Sequence, residues 1–246
     1  MPSNRPTYSV TLAGFIPLNL CTGISSVRNA NTKPVAAKGR RLMARNRIGI
    51  FSGSFDPVHT GHLTFALKAI QEARLDIMYF LPERQPRGKP EVEHFGHRTA
   101  MLSRAIRPYQ QLGILELPDV YFDVKRTLPK LQAEFTGADL VFLMGSDAVL
   151  RLNPVYWPGD DLETFLSRAE IIIGMRAHQS QEEIAIALGA LPRQPIATRV
   201  ISLPHNHISS SRIRQAFRHN QKAAGLLTSV SKYARDNWLY VSVVAE

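Results

Sequence analysis

The chain of 246 residues holds one cysteine, Cys21. A lone thiol closes no internal disulfide and builds no thiolate metal cluster, so a disulfide scaffold and a zinc module are both excluded. A reducing compartment follows, and a cytoplasmic location is the expectation. Long apolar runs are missing as well. The longest, Leu140-Val-Phe-Leu-Met144 and Ile171-Ile-Ile-Gly-Met175, fall far short of the roughly 18 residues that a membrane-spanning helix needs. No membrane partner is expected. Acidic residues are absent until Asp56, although eight of the 30 Lys and Arg precede it. The net charge of +10 is therefore concentrated in the leader, and the remaining 22 basic residues face 20 acidic ones. A nearly neutral body offers no phosphate-tracking surface, so no nucleic-acid partner is expected either.

What is present suits a globular fold. Apolar residues make up 44% of the chain, enough to fill a core, and no internal repeat appears. Residues 1–46 are acid-free and rich in Ser, Thr, Asn, Pro and Arg, and they are read as a disordered or non-native N-terminal extension, with Met43 as an alternative start. If residues 1–42 are instead a transit segment, the address becomes organellar. From Arg47 onward, short apolar runs predict strands at 47–52, 76–81, 112–117, 139–144, 169–175 and 198–203. Helix-period segments lie between them: Leu63, Ala66, Leu67, Ile70 and Ala73 share one helical face, and Ser180 with Glu183 forms a capping box. Strands apolar on both faces and alternating with helices pair in parallel through right-handed crossovers. Residues 47–246 are thus expected to form one α/β domain around a doubly wound parallel sheet.

Two motifs carry chemistry. In Gly53-Ser-Phe-Asp-Pro-Val-His-Thr-Gly-His62, a strand runs into a tight turn and then into a helix. His59 and His62, three residues apart, fall on one side of the first helical turn, where backbone N–H groups and the helix dipole favour an anion. The second motif, His207-Ile-Ser-Ser-Ser-Arg-Ile-Arg214, follows the last strand. Its serines offer caps and hydroxyl donors, and Arg214 a guanidinium fork. In a parallel sheet both motifs lie at the carboxyl ends of strands, where such sheets bind ligands.

Together these motifs resemble the HxGH and I-S-S-T-x-I-R elements of the nucleotidylyltransferase superfamily. Within it, residues 47–240 look most like bacterial nicotinate mononucleotide adenylyltransferases. Supporting landmarks are Gly145-Ser-Asp147, Trp157, Arg176, Val230-Ser-Lys-Tyr233 and Asn237-Trp-Leu-Tyr240. The resemblance implies a Rossmann-like nucleotidylyltransferase fold in which Gly53, Ser54, Phe55, Gly145 and Asp147 line the ATP site. It also implies that His59 and His62 contact phosphates and that Ser209, Ser210 and Arg214 grip the β- and γ-phosphates. His59, His62 and Arg214 are the implied catalytic set, and Trp157, Thr127 and Arg176 the acceptor-binding one. Ser211 stands where the motif usually has threonine, and Pro86-Arg-Gly-Lys89 replaces a Pro-His-Lys element.

The implied reaction is adenylyl transfer from ATP to a pyridine mononucleotide, nicotinate mononucleotide, giving nicotinate adenine dinucleotide and pyrophosphate. Mg²⁺ is expected to enter on the ATP phosphates, with no protein metal site. Lys125 or Arg126 in the 121–128 segment is a candidate partner for the nicotinate carboxylate. Alternatives are adenylyl or cytidylyl transfer to another phosphorylated acceptor and a non-catalytic nucleotide-binding protein. A homo-oligomer is left open.

Overall fold

The computed structural model describes residues 9–12, 45–175, 179–204 and 207–241. Six strands are laid parallel: β2 (Arg47–Gly53), β3 (Ile77–Pro82), β4 (Leu112–Glu116), β5 (Asp139–Gly145), β6 (Glu170–Met175) and β7 (Ala197–Ser202). All fall within a residue or two of the runs expected from apolar patterning. They are ordered β4-β3-β2-β5-β6-β7, so the winding reverses between β2 and β5. That is the doubly wound arrangement, and a ligand crevice opens where the order reverses.

Alternation along each strand splits the core in two. Ile48 and Ile50 point to one face of the sheet and Phe51 to the other, and Met78 and Phe80 lie opposite Tyr79 and Leu81. One face is covered by α1 (Thr60–Ala73), α2 (Phe95–Ile106), α7 (Ser210–Arg218) and α8 (Thr228–Asp236). The other is covered by α3 (Thr127–Glu134), α4 (Ser146–Val149), α5 (Asp161–Leu166) and α6 (Gln181–Gly189). Ile171, Ile172 and Ile173 in β6 are all fully buried because that strand is covered on both sides. Each such side chain contributes about 1.5–3 kcal/mol of burial. Gly49 allows β2 and β3 to carry this packing, since a Cβ there would meet Leu75 and Met78 at 2.7 and 2.8 Å. The capping box at α6 forms as expected: Glu183 N–H donates to Ser180 Oγ at 3.0 Å, and Ser180 N–H to Glu183 Oε2 at 2.8 Å.

One expectation is corrected. The whole of residues 1–46 was placed outside the fold, yet β1 (Ser9–Leu12) pairs antiparallel with β4, Ser9 opposite Glu116. The open edge of β4 presents unpaired backbone groups, and an added strand satisfies them. No helix among the described residues is long and apolar enough to cross a membrane.

Candidate active site

The carboxyl ends of β2, β5 and β6 open into a cavity of about 730 Å³, a volume suited to a dinucleotide-sized ligand. Its floor is built from strand ends and the turns that leave them. Gly53 ends β2 and Ser54 and Phe55 follow it, Gly145 ends β5 with Asp147 just beyond, and Gly174 is the penultimate residue of β6. Phe55 holds a positive φ of 48° and is buried, edge-on to Phe51 and Phe80. A side chain at Gly53 would come within 3.1 Å of the Phe55 ring, so the glycine lets the turn close.

The two histidines differ in position. His62 lines the cavity, whereas His59 is buried beneath it as the N-cap of α1, the rings stacked with centroids 3.8 Å apart. The backbone N–H of His59 donates to His62 Nδ1 at 3.3 Å. An accepting Nδ1 leaves the proton of the neutral ring on Nε2, which makes that nitrogen the donor. The first turn of α1 also spends one of its N–H groups within the protein: Thr60 N–H donates to the Gly225 carbonyl at 2.9 Å.

The second motif is stitched to the first. Ser209 caps α7 by accepting from Arg212 N–H at 3.3 Å, and Ser210 Oγ donates to the Pro57 carbonyl at 2.9 Å. Arg214 Nη1 donates to the Asp56 carbonyl at 2.6 Å and lies 3.6 Å from the Asp56 carboxylate. None of Ser209, Ser210 and Arg214 lines the cavity: Ser210 and Arg214 hold the Asp56-Pro57 turn beside it, Ser209 caps α7, and it is Ile208 of this motif that lines the wall. Asp56 was not singled out from the sequence, although it stands at the junction. Its side chain is 1% exposed and accepts from Tyr240 Oη at 2.7 Å. Burial, then the neighbouring Asp56 charge, pushes the Tyr240 hydroxyl well above the ordinary tyrosine range, so it stays a donor.

Between β3 and α2 the chain forms a loop, residues 83–93, that walls the cavity opposite the histidines. Arg87, Gly88 and Lys89 line it, together with Tyr121, Tyr156 and Trp157. Arg87 lies 4.0 Å over the Tyr121 ring and donates to the Tyr156 carbonyl at 3.2 Å. Lys89 Nζ reaches Ser54 Oγ at 3.1 Å. Desolvation at the cavity wall lowers its pKa from the ordinary lysine value, against the pull of Asp147 and Glu83. Arg98, on α2, was likewise missed. It is wholly buried, its guanidinium donating to the carbonyls of Glu93, Ser54 and Arg84 at 2.7, 2.7 and 2.8 Å.

The residues expected at the acceptor end divide. Trp157 lines the cavity and also packs on Phe165, with centroids 5.0 Å apart, so it serves both purposes. Thr127 does not reach the cavity. It is 1% exposed, accepts from Asp123 N–H at 3.0 Å and donates to Asp119 at 3.1 Å, which makes it a fastener for the loop ahead of α3. Lys125 pairs with Asp160 and Asp161 at 3.2 and 3.1 Å, and Arg126 pairs with Asp123 at 3.9 Å; neither lines the cavity. Arg176 lies outside the described residues. Asp147 sits in the first turn of α4, whose N-cap is Gly145, so its carboxylate is not a cap.

Comparison with known proteins agrees with this geometry. The model of the cytidylyltransferase-like family matches residues 50–216. A chain from Carboxydothermus hydrogenoformans, named a probable nicotinate-nucleotide adenylyltransferase, is 33% identical over 207 residues, covering 80% of this chain and all of its own length. The nicotinate-nucleotide adenylyltransferase of Bacillus subtilis is 29% identical over 205 residues, covering 80% of this chain and 99% of its own. Among solved structures, Plasmodium falciparum nicotinic acid mononucleotide adenylyltransferase complexed with NaAD superposes with a TM-score of 0.65 at 20% identity, covering 80% of this chain and 98% of its own. Its complex with APC gives 0.64 at 19%, with the same coverage. At those identities the likeness speaks to the fold.

Proposed function

The chain belongs to the nicotinate-nucleotide adenylyltransferases within the cytidylyltransferase-like family, and from that premise we propose how its cavity transfers the adenylyl group of ATP to nicotinate mononucleotide. A phosphate oxygen of the mononucleotide attacks the α-phosphorus of ATP in line. The new P–O bond forms as the bond to the β-phosphate oxygen breaks, pyrophosphate leaves with that electron pair, and nicotinate adenine dinucleotide results, a step of NAD biosynthesis. A phosphate monoester is largely ionised at neutral pH, so no general base is needed. The work left to the protein is positioning and charge compensation.

The observation that carries this reading is the joint between the two motifs. Arg214 and Ser210 clasp the Asp56-Pro57 turn, and that clasp sets His62 at the cavity wall with its Nδ1 already engaged. His62 Nε2 would donate to a phosphoryl oxygen as charge builds on it, helped by the positive end of α1. Lys89, Arg87 and Arg151 are the cations that line the cavity. We assign Lys89 to the phosphates and Arg87, with Tyr121 and Trp157 beside it, to the nicotinate end. Arg87 thereby takes the part expected of Lys125 or Arg126, which are spent on aspartates elsewhere. Asp147, which lines the cavity, we assign to the nucleoside.

Among the described residues no three His, Cys, Asp or Glu side chains group as a metal cage, while Glu83 and Asp147 put carboxylates on the cavity wall. Glu83 and Asp147 would help to hold a Mg²⁺ brought in on the substrate's phosphates. Bound there, it would supply charge neutralisation across the polyphosphate. The test of the whole reading is pyrophosphate release with ATP and a panel of phosphorylated acceptors. Nicotinate mononucleotide should be the best of them, and the amide analogue poorer, because it leaves a cation at Arg87 without its partner. Turnover confined to a pantetheine or phosphoalcohol acceptor would overturn the reading.

A further inference from the structure

A buried arginine is expensive unless every donor is met. Arg98 stands on the inward face of α2 with Met101, Leu102 and Ala105, a row that is otherwise apolar. Each of its three nitrogens donates to a backbone carbonyl. Nε meets the Glu93 carbonyl, Nη2 the Arg84 carbonyl and Nη1 the Ser54 carbonyl. Glu93 and Arg84 are the two ends of the loop whose middle presents Arg87, Gly88 and Lys89 to the cavity. Ser54 is on the glycine turn after β2. One planar group thus draws both ends of the loop together and fixes them to the opposite rim.

We propose that Arg98 is a positioning residue that holds the 84–93 loop over the cavity before substrate arrives, and that it acts on the acceptor half of the reaction. This rests on the reading that the acceptor lies beneath Arg87. The asymmetry comes from what else anchors each partner. The turn at 53–57 has independent ties: Glu83 N–H donates to the Gly53 carbonyl at 3.0 Å, Arg214 and Ser210 hold Asp56 and Pro57, and Phe55 is locked among aromatic rings. The near end of the loop has ties from Gln85 N–H to the Val120 carbonyl at 2.8 Å and from Arg84 Nε to the Leu117 carbonyl at 3.2 Å, and its middle has those of Arg87 to Tyr156 and Lys89 to Ser54. The far end, at Glu93, is brought to the near end by Arg98. Loss of the fork would free the far end of the loop while the nucleotide turn keeps its other fastenings.

Arg98→Lys keeps the charge but cannot span three carbonyls, and Arg98→Met removes the donors altogether. In both, the KM for nicotinate mononucleotide should rise roughly ten- to a hundredfold, the cost of a small misplacement, while the KM for ATP stays within about threefold. Hydrogen exchange should quicken in peptides spanning 84–93 and not in those spanning 48–57. Parallel changes in both KM values with both peptides loosened would reduce Arg98 to a general core residue and overturn the proposal, as would no change in either. Should the variants fail to fold, the wild-type enzyme decides. Peptides over 84–93 should be protected without substrate and gain little on adding nicotinate mononucleotide. Protection that appears only with the acceptor would overturn the clasp. If no pyridine mononucleotide is turned over, the acceptor assignment falls, and the exchange measurements still decide whether Arg98 holds the loop.

Discussion

Replacing His62 by alanine removes two things that can be separated. The ring is stacked on His59 at 3.8 Å and meets Phe51 and Phe55 edge-on at 5.9 and 5.2 Å. Aromatic pairs of this kind are worth about 0.5–1.5 kcal/mol each, so the loss of three should cost the fold about 1.5–4.5 kcal/mol. For a domain of this size that lowers Tm by roughly 3–18 °C, leaving the protein folded at 25 °C. The second loss is the Nε2 donor at the cavity wall. A donor that meets charge only as it develops is worth about 2.7–4 kcal/mol, or 10²–10³ in kcat. The KM for ATP should move little, because the ground-state triphosphate carries less charge at the position the donor serves. His62→Gln returns an amide donor without the stacked ring, so it should recover part of kcat and little of Tm. Pyrophosphate release at saturating substrates, set beside calorimetric melting, measures both losses. A kcat reduced by less than about fivefold, or a KM for ATP raised in its place, would refute the assignment of His62 to the transferring phosphoryl group.

Arg214→Ala should raise the KM for ATP by about tenfold or more with a smaller fall in kcat, since a cation bordering the phosphates binds ground and transition states alike; steady-state kinetics in both substrates check it. Lys89 loses its proton at lower pH than an ordinary lysine, so its charge fades as pH rises through its depressed pKa. Substrate affinity should therefore weaken on the alkaline side sooner than an unperturbed lysine would allow, and Lys89→Arg should flatten that limb of the KM profile. Tyr240→Phe takes the 2.7 Å donor away from a buried carboxylate, a loss of about 1.5–3 kcal/mol. Calorimetry should show Tm lower by roughly 3–12 °C, with the KM for acceptor nearly unchanged.

The sheet was legible because a strand covered on both faces must be apolar along its buried length, and 171–175, just after Glu170, reads that way without interruption. β1 was not legible, since Ser9–Leu12 alternates polar and apolar over four residues only, too short a run to stand out, and its place is decided by the open edge of β4. The first motif was legible for a different reason. Gly53, Phe55, His59 and His62 are dictated by a turn, a ring pocket and a helix start that tolerate few other residues, so their spacing survives in the sequence. Gly145 and Asp147 came from the resemblance, as the G-x-D element that follows a strand.

Side chains that act on backbone leave a fainter trace. Thr127 reads as an acceptor contact by position, but its hydroxyl is consumed by Asp123 N–H and Asp119, partners close in sequence that close the loop on itself. Lys125 is drawn outward by two carboxylates some 35 residues away, a pairing that periodicity does not encode. Arg98 did leave a signal: in Arg98-Thr-Ala-Met-Leu-Ser-Arg-Ala105 a cation occupies the same helical stripe as Met101, Leu102 and Ala105. A charge placed on an apolar stripe must be paired when the stripe is buried, and no acid lies at i+3 or i+4 to pair it. Its partners had to come from elsewhere in the chain, and they turned out to be carbonyls, which every residue carries and no sequence distinguishes. The position of Arg98 thus announced that something would be fastened there. What was fastened, the two ends of the loop and the turn after β2, could be known only once the helix was docked against them.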